Sequence, residues 1–223
     1  MAYIIAFEGI DGSGKGTQAR LLYERLTVAG YRCLEVSFPN YDSFFGKEAG
    51  ALLSGKNFTT AANLDPKSTA LWYACDRFNE FRSIDQGAYD FIILNRYVLS
   101  NVAYQSVRVP ADEQHSFAKW VLELEHGQFG LPVPNITFVF DVNETLSAAN
   151  VSQKGYRDYT GDEPDVYESS SNILQDARRF YRELIGEIDG ATLVECIGPD
   201  GTMLPMDQIS DIVFNTVIER ASL

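Results

Sequence analysis

Five short runs of apolar and β-branched residues recur along the chain: Tyr3–Phe7, Cys33–Phe38, Phe91–Leu94, Ile136–Val142 and Thr192–Ile197. Each has the length of a strand, and the unbroken ones read as strands buried on both faces. The stretches between them change to helical spacing. In Gln18–Ala29 the residues Leu21, Leu22, Leu26 and Val28 fall on or near one face, and Gly30 supplies a stop. Asn63–Asp85 predicts a long helix whose start carries Asp65-Pro66. Asp112–Gly127 reads as helical, Asp165–Ile188 contains a long helix, and Pro205–Ala221 closes the chain with another. Strand and helix alternate throughout. That order predicts an α/β fold with a five-stranded parallel sheet flanked by helices.

One turn breaks from ordinary βα chemistry. The first strand runs into Glu8-Gly9-Ile10-Asp11-Gly12-Ser13-Gly14-Lys15-Gly16-Thr17-Gln18, and a helical pattern follows at once. A glycine-rich loop with one lysine, between strand and helix, is the layout of a P-loop. Its backbone N–H groups converge on phosphate oxygens, and the lysine adds a mobile positive charge. Gly9, Asp11, Gly12, Ser13, Gly14, Lys15, Gly16, Thr17 and Gln18 are therefore the candidate residues for binding a nucleoside triphosphate. The strict pattern places Ser or Thr directly after the lysine as a magnesium ligand; here Gly16 takes that place and Thr17 follows.

Length and composition narrow the reading. The chain has 223 residues, suiting one domain over 1–223 with room for a lid. The polar segment at 151–163, with Lys154 and Arg157, is the candidate lid. The net charge of −13 argues against a general nucleic-acid binder, which would show a basic face. Cys33, Cys75 and Cys196 lie far apart without metal-ligand spacing, as expected of reduced thiols in a cytoplasmic protein. No signal-peptide pattern and no membrane-length apolar run are evident.

The remaining candidates cluster after the strands, where open α/β sheets bind ligands. Phe38-Pro39-Asn40-Tyr41 follows the second strand and Asn95-Arg96-Tyr97 the third. Tyr73 and Arg77 share one helix face, and Asn101 and Tyr104 share another. Taken singly, Tyr73 suits a core, Arg77 and Arg96 suit surface ion pairs, and two acids at a helix start suit its dipole. Together, after a P-loop, they supply rings and polar groups of the kind a pyrimidine needs.

In these motifs the chain resembles the thymidylate kinase family. FEGIDGSGKGTQ at Phe7–Gln18, FPNY at Phe38–Tyr41, YACDR at Tyr73–Arg77, NRYVLSNVAYQ at Asn95–Gln105 and YRDYTGDEPDVYE at Tyr156–Glu168 carry the resemblance. It implies the P-loop nucleoside-monophosphate-kinase fold with a short lid, phosphorylation of dTMP by ATP and magnesium, and a homodimer. By the same resemblance, Lys15, Arg96 and Arg157 are the catalytic cations. Asp11, Tyr41, Tyr73, Arg77, Arg96, Asn101 and Tyr104 hold dTMP. Asp11, Asn95 and Glu168 surround the metal, with Asp165 beside Glu168 after the lid. The family usually has Asp where this chain has Asn95, so weakened magnesium handling is expected, and often an arginine where it has Asn40, so one weakened phosphate contact is expected. A kinase of other nucleotide specificity, or a nucleotide-binding regulator with weakened catalysis, stays open at this point.

Overall fold

The computed structural model describes residues 1–54, 60–61, 63–152, 167 and 171–222. Five strands, β1 (Tyr3–Glu8), β2 (Cys33–Ser37), β3 (Phe91–Asn95), β4 (Ile136–Asp141) and β5 (Ala191–Glu195), form one sheet in the order β2-β3-β1-β4-β5. All four pairings are parallel. Helices α1 (Lys15–Val28), α2 (Phe44–Leu53), α3 (Pro66–Phe81), α4 (Val98–Ser106), α5 (Gln114–Leu122), α6 (Glu144–Ser152), α7 (Ser171–Leu184) and α8 (Met206–Arg220) connect and flank the strands.

The continuous apolar runs have a direct explanation. Ile4 and Ala6 of β1 join one core with Ile92 and Leu94 of β3, beneath α3, α4, α5 and α7. Ile5 and Phe7 join the opposite core with Phe91 and Ile93, beneath α1 and α8. Alternate side chains thus enter alternate cores, and neither face of the strand has a polar position to reveal the period. Phe7 packs against Phe138 and Phe140 at centroid distances of 5.5 and 5.6 Å. Burial of one such side chain contributes about 1.5–3 kcal/mol.

Three helices lie outside the sequence expectation. Every residue of α4 is buried, its polar Ser100, Asn101, Gln105 and Ser106 included, so it has no solvated face; the sequence reading reached it only through the shared face of Asn101 and Tyr104. In α2 the pattern is interrupted by Gly46 and Gly50; a Cβ at Gly46 would sit 1.8 Å from the Asn40 carbonyl oxygen, so only glycine allows this contact. α6 occupies the stretch after β4 and ends where the expected lid begins. The helix predicted at Asp112–Gly127 is α5 followed by a π-helical turn, Glu123–Gln128. α3 is shorter at both ends than the Asn63–Asp85 expectation: Pro66 is its first residue, and the Asp65 side chain caps it by accepting from the Ser68 N–H at 2.9 Å.

The register aligns the functional ends. Phe7 of β1 pairs with Asn95 of β3, and Ser37 of β2 pairs with the same Asn95. The glycine-rich loop, the Asn95-Arg96-Tyr97 turn and the Phe38–Tyr41 segment therefore leave the sheet side by side.

Candidate active site

The loop from Glu8 to Gly16 curls against the body of the protein. Gly9, Gly12 and Gly14 all have positive φ. At Gly12 a Cβ would approach the Ser147 carbonyl oxygen to 2.3 Å. Bonds from α6 close this contact: Ser147 Oγ donates to the Asp11 carbonyl and Asn150 Nδ2 to the Gly12 carbonyl at 2.8 Å. Lys15 is nearly buried, donates from Nζ to the Ile10 carbonyl at 3.0 Å and lies 3.9 Å from the Asp11 carboxylate. Ser13 Oγ is buried in the loop with no hydrogen-bond partner among the described residues. An orphaned hydroxyl in a glycine cradle fits a polyanion. Gln18 faces elsewhere: its Nε2 donates to the Met206 carbonyl at 3.0 Å and ties α1 to α8. Thr17 is exposed.

Arg96 occupies the tight turn between β3 and α4 with φ 65, a left-handed conformation costing a non-glycine residue roughly 1–2 kcal/mol. Glu8 offsets that cost. Its wholly buried carboxylate accepts from the Tyr97 N–H at 2.8 Å, from Ser100 Oγ at 2.5 Å and from the Tyr181 hydroxyl at 3.2 Å. Burial pushes the Glu8 carboxyl above its ordinary range, against the Ser100 hydrogen bond, the Arg96 charge and the Tyr97 N–H. Held in this way, Arg96 pairs through Nη2 with Asp11, and Nη1 donates to Ser100 Oγ at 3.1 Å. The Tyr104 hydroxyl donates to the other Asp11 oxygen at 3.0 Å.

All seven residues predicted to hold the monophosphate line one cleft. Asp11, Tyr41, Tyr73, Arg77, Arg96, Asn101 and Tyr104 are joined there by Phe38, Pro39, Leu53, Ser100, Gln105 and Tyr167. At the buried end, Arg77 makes a two-pronged bond to Glu125: Nε to Oε2 at 2.5 Å and Nη2 to Oε1 at 2.6 Å. Asn101 Nδ2 donates to Glu125 Oε1 at 2.8 Å and to the Ala70 carbonyl at 3.0 Å. Glu8, Ser100 and Glu125 were not among the sequence candidates. A carboxylate ending the apolar first strand was a usable sign for Glu8; Glu125 gave none.

Asn95 donates from Nδ2 to Ser37 Oγ at 3.2 Å, while its Oδ1 is buried with no partner among the described residues. The amide adjoins Gly16, where a Cβ would stand 3.2 Å from Asn95 Nδ2. The two departures from the usual pattern therefore meet at one point beside the phosphate loop. Asn40 turns the other way, its Nδ2 donating to Glu80 at 2.8 Å. Lys154, Arg157, Asp165 and Glu168 lie outside the described residues. Among the described residues, no helix is long and apolar enough to cross a membrane, and no cluster of three or more His, Cys, Asp or Glu could hold a metal unaided.

Comparison with known proteins bears on the family and the fold. A family model described as thymidylate kinase matches residues 7–197. The chain is 31% identical over 188 residues to thymidylate kinase from Mycobacterium tuberculosis, covering 82% of this chain and 86% of that protein. It is 30% identical over 184 residues to a probable thymidylate kinase from Sulfurisphaera tokodaii, covering 82% and 83%. The solved thymidylate kinase from Candida albicans covers 99% of this chain and 92% of its own, with a TM-score of 0.76 at 23% identity, a likeness of fold.

Proposed function

The chain belongs to the thymidylate kinase family and is a phosphotransferase; from that premise we propose that it moves the γ-phosphoryl group of ATP onto the phosphate of dTMP. The observation that carries the proposal is the single cleft that gathers Asp11, Tyr41, Tyr73, Arg77, Arg96, Asn101 and Tyr104 beside the glycine-rich loop. An anionic phosphate oxygen of dTMP attacks the γ-phosphorus in line. The bond between the γ-phosphorus and the bridging oxygen breaks, and dTDP and ADP result. The attacking oxygen is already charged, so no strong base is needed, and the protein's work is alignment and charge stabilisation.

Lys15 and the uncommitted N–H groups of the loop hold the ATP phosphates; the Gln18 N–H is not among them, since it donates to the Gly14 carbonyl at 3.0 Å. Arg96 receives the dTMP phosphate, with Tyr41 beside it. Asp11, turned toward Arg96 and Tyr104, meets the sugar side. Tyr73 stacks on the base, while Arg77 and Asn101 read its edge. The family resemblance assigns Arg157 as the further cation of the set. Magnesium, when bound, neutralises phosphate charge. The unpartnered Asn95 Oδ1 beside Gly16 supports its placement there, and the family resemblance assigns Asp11 and Glu168 as the carboxylates of its shell. Magnesium keeps several waters and needs few protein ligands, which suits a site without an acidic cluster.

The same reading makes the protein a cytoplasmic homodimer. Its three cysteines are free thiols. Leu71 and Phe78 expose large apolar surface at a seven-residue spacing on α3, a face suited to a second copy. An ADP-release assay over dTMP, dCMP, dGMP and dAMP, with and without magnesium, tests the activity. The expected result is magnesium-dependent turnover with dTMP strongly preferred. Equal kcat/KM for dTMP and dCMP would sink the assignment.

A further inference from the structure

Behind the candidate base readers, outside the cleft lining, stands a residue with no role in the scheme above. Glu125 is wholly buried, lies in the π-helical turn Glu123–Gln128, and contacts both candidate base readers. The turn is opened by the Phe129 N–H, which reaches the Leu124 carbonyl five residues back at 2.9 Å. Such turns occur often at functional sites.

The hydrogen-bond inventory of this cluster is nearly closed. An ionised carboxylate only accepts. Glu125 takes the Nε and Nη2 donors of Arg77, which leaves Arg77 Nη1 without a partner among the described residues. It also takes one Nδ2 hydrogen of Asn101, and the Ala70 carbonyl takes the other. Both Asn101 donors are thereby consumed. The remaining atom, Oδ1, is buried and unpartnered, and Asn101 and Arg77 both line the cleft. Arg77 Nη1 and Asn101 Oδ1 are therefore the uncommitted donor and acceptor of two residues that line the cleft. Reversing the amide would set Oδ1 against two acceptors, Glu125 Oε1 and the Ala70 carbonyl.

We propose that Glu125 is a positioning residue that fixes the polarity of this donor–acceptor pair and so selects the thymine edge over the cytosine edge. The proposal rests on the dTMP reading of the cleft. Thymine offers a carbonyl acceptor at O4 and a donor at N3–H, which complement an arginine donor and an amide acceptor. Cytosine offers a donor at N4 and an acceptor at N3, the opposite polarity. A site with fixed buried polar groups rejects the edge that leaves them unpaired.

The test is steady-state kinetics of the native chain and E125Q with dTMP and dCMP, and of both proteins with varied ATP. Gln presents one amide nitrogen where Glu125 has an acceptor, so the two-pronged arginine bond cannot survive intact. The dTMP:dCMP ratio of kcat/KM should fall about tenfold or more, with KM for dTMP raised and KM for ATP unchanged. A purely structural Glu125 would instead lower the melting temperature and leave the ratio and both KM values alone. That outcome overturns the proposal. If circular dichroism shows that E125Q is unfolded, E125D carries the same expectation and the same overturning result, since it keeps the charge and retracts the carboxylate by one methylene. A native chain without dTMP preference overturns this proposal and the proposed function together. A native chain with that preference, matched by an unchanged variant ratio, overturns this one alone.

Discussion

Gly12 and Gly14 both have positive φ, at 73 and 85°, yet their surroundings differ. A Cβ at Gly14 meets nothing within 4 Å, whereas one at Gly12 stands 2.3 Å from the Ser147 carbonyl oxygen and 2.9 Å from its carbon. Gly14→Ala should therefore cost only the left-handed conformation, roughly 1–2 kcal/mol. Gly12→Ala carries the same cost and must also push α6 away from the loop. The retreat would strain or break the bonds from Ser147 Oγ to the Asp11 carbonyl and from Asn150 to the Gly12 carbonyl. Two such bonds contribute about 0.5–1.5 kcal/mol each, so the additional loss is about 1–3 kcal/mol. For a chain of this length each kcal/mol moves the melting temperature by about 2–4 °C. Gly12→Ala should therefore melt roughly 2–12 °C below Gly14→Ala. Calorimetry without nucleotide isolates the effect, because both glycines also face the bound phosphates in the proposed complex. Equal melting temperatures for the two variants would refute the claim that backbone contact with α6 requires glycine at position 12.

Two further outcomes follow from particular groups. Asn95→Asp should lower the magnesium concentration for half-maximal rate, since a charge replaces the unpartnered acceptor beside Gly16; superimposed magnesium titrations at fixed ATP would remove position 95 from the metal's surroundings. The Arg32 side chain and backbone N–H hold the Asp90 carboxyl down at about 2, so it stabilises the fold above its unfolded pKa of about 3.9 and loses that effect as pH falls toward the folded value. Asp90→Asn should thus lower the urea midpoint at pH 6, with a gap to the native chain that narrows as pH falls below about 4; a gap independent of pH would contradict this linkage.

The central strands β1, β3 and β4 were readable because burial on both faces leaves long apolar runs; β2 and β5 at the sheet edges are only partly buried, and β-branched and apolar residues marked them despite Glu35 and Glu195. The same physics hid α4. Its polar residues Ser100, Asn101, Gln105 and Ser106 are buried with its apolar ones, so the segment lacks the solvated face that marks a surface helix, and only the Asn101/Tyr104 spacing pointed to it. The glycine-rich loop and the pairs Tyr73/Arg77 and Asn101/Tyr104 were accessible from local spacing, which a helix converts directly into shared direction. Glu125 was not. It sits at what reads as the end of an ordinary helix, where acids are usually solvated, and its partner Arg77 is 48 residues away. Gln18 shows the converse: a motif position adjacent to the loop whose side chain instead anchors α8.

The meeting of Gly16 and Asn95 bears on how such a loop can change over generations. A side chain at 16 would come within 3.2 Å of the amide nitrogen at 95, so neither position is free to mutate without the other registering it. A hydroxyl introduced at 16 beside Asn95, or a carboxylate at 95 facing a bare glycine, is an intermediate whose fitness differs from that of either end state. The pair is thus an epistatic unit. Single substitutions would misstate the contribution of each residue, and the four-member set of both singles, the double and the native chain is the smallest informative one.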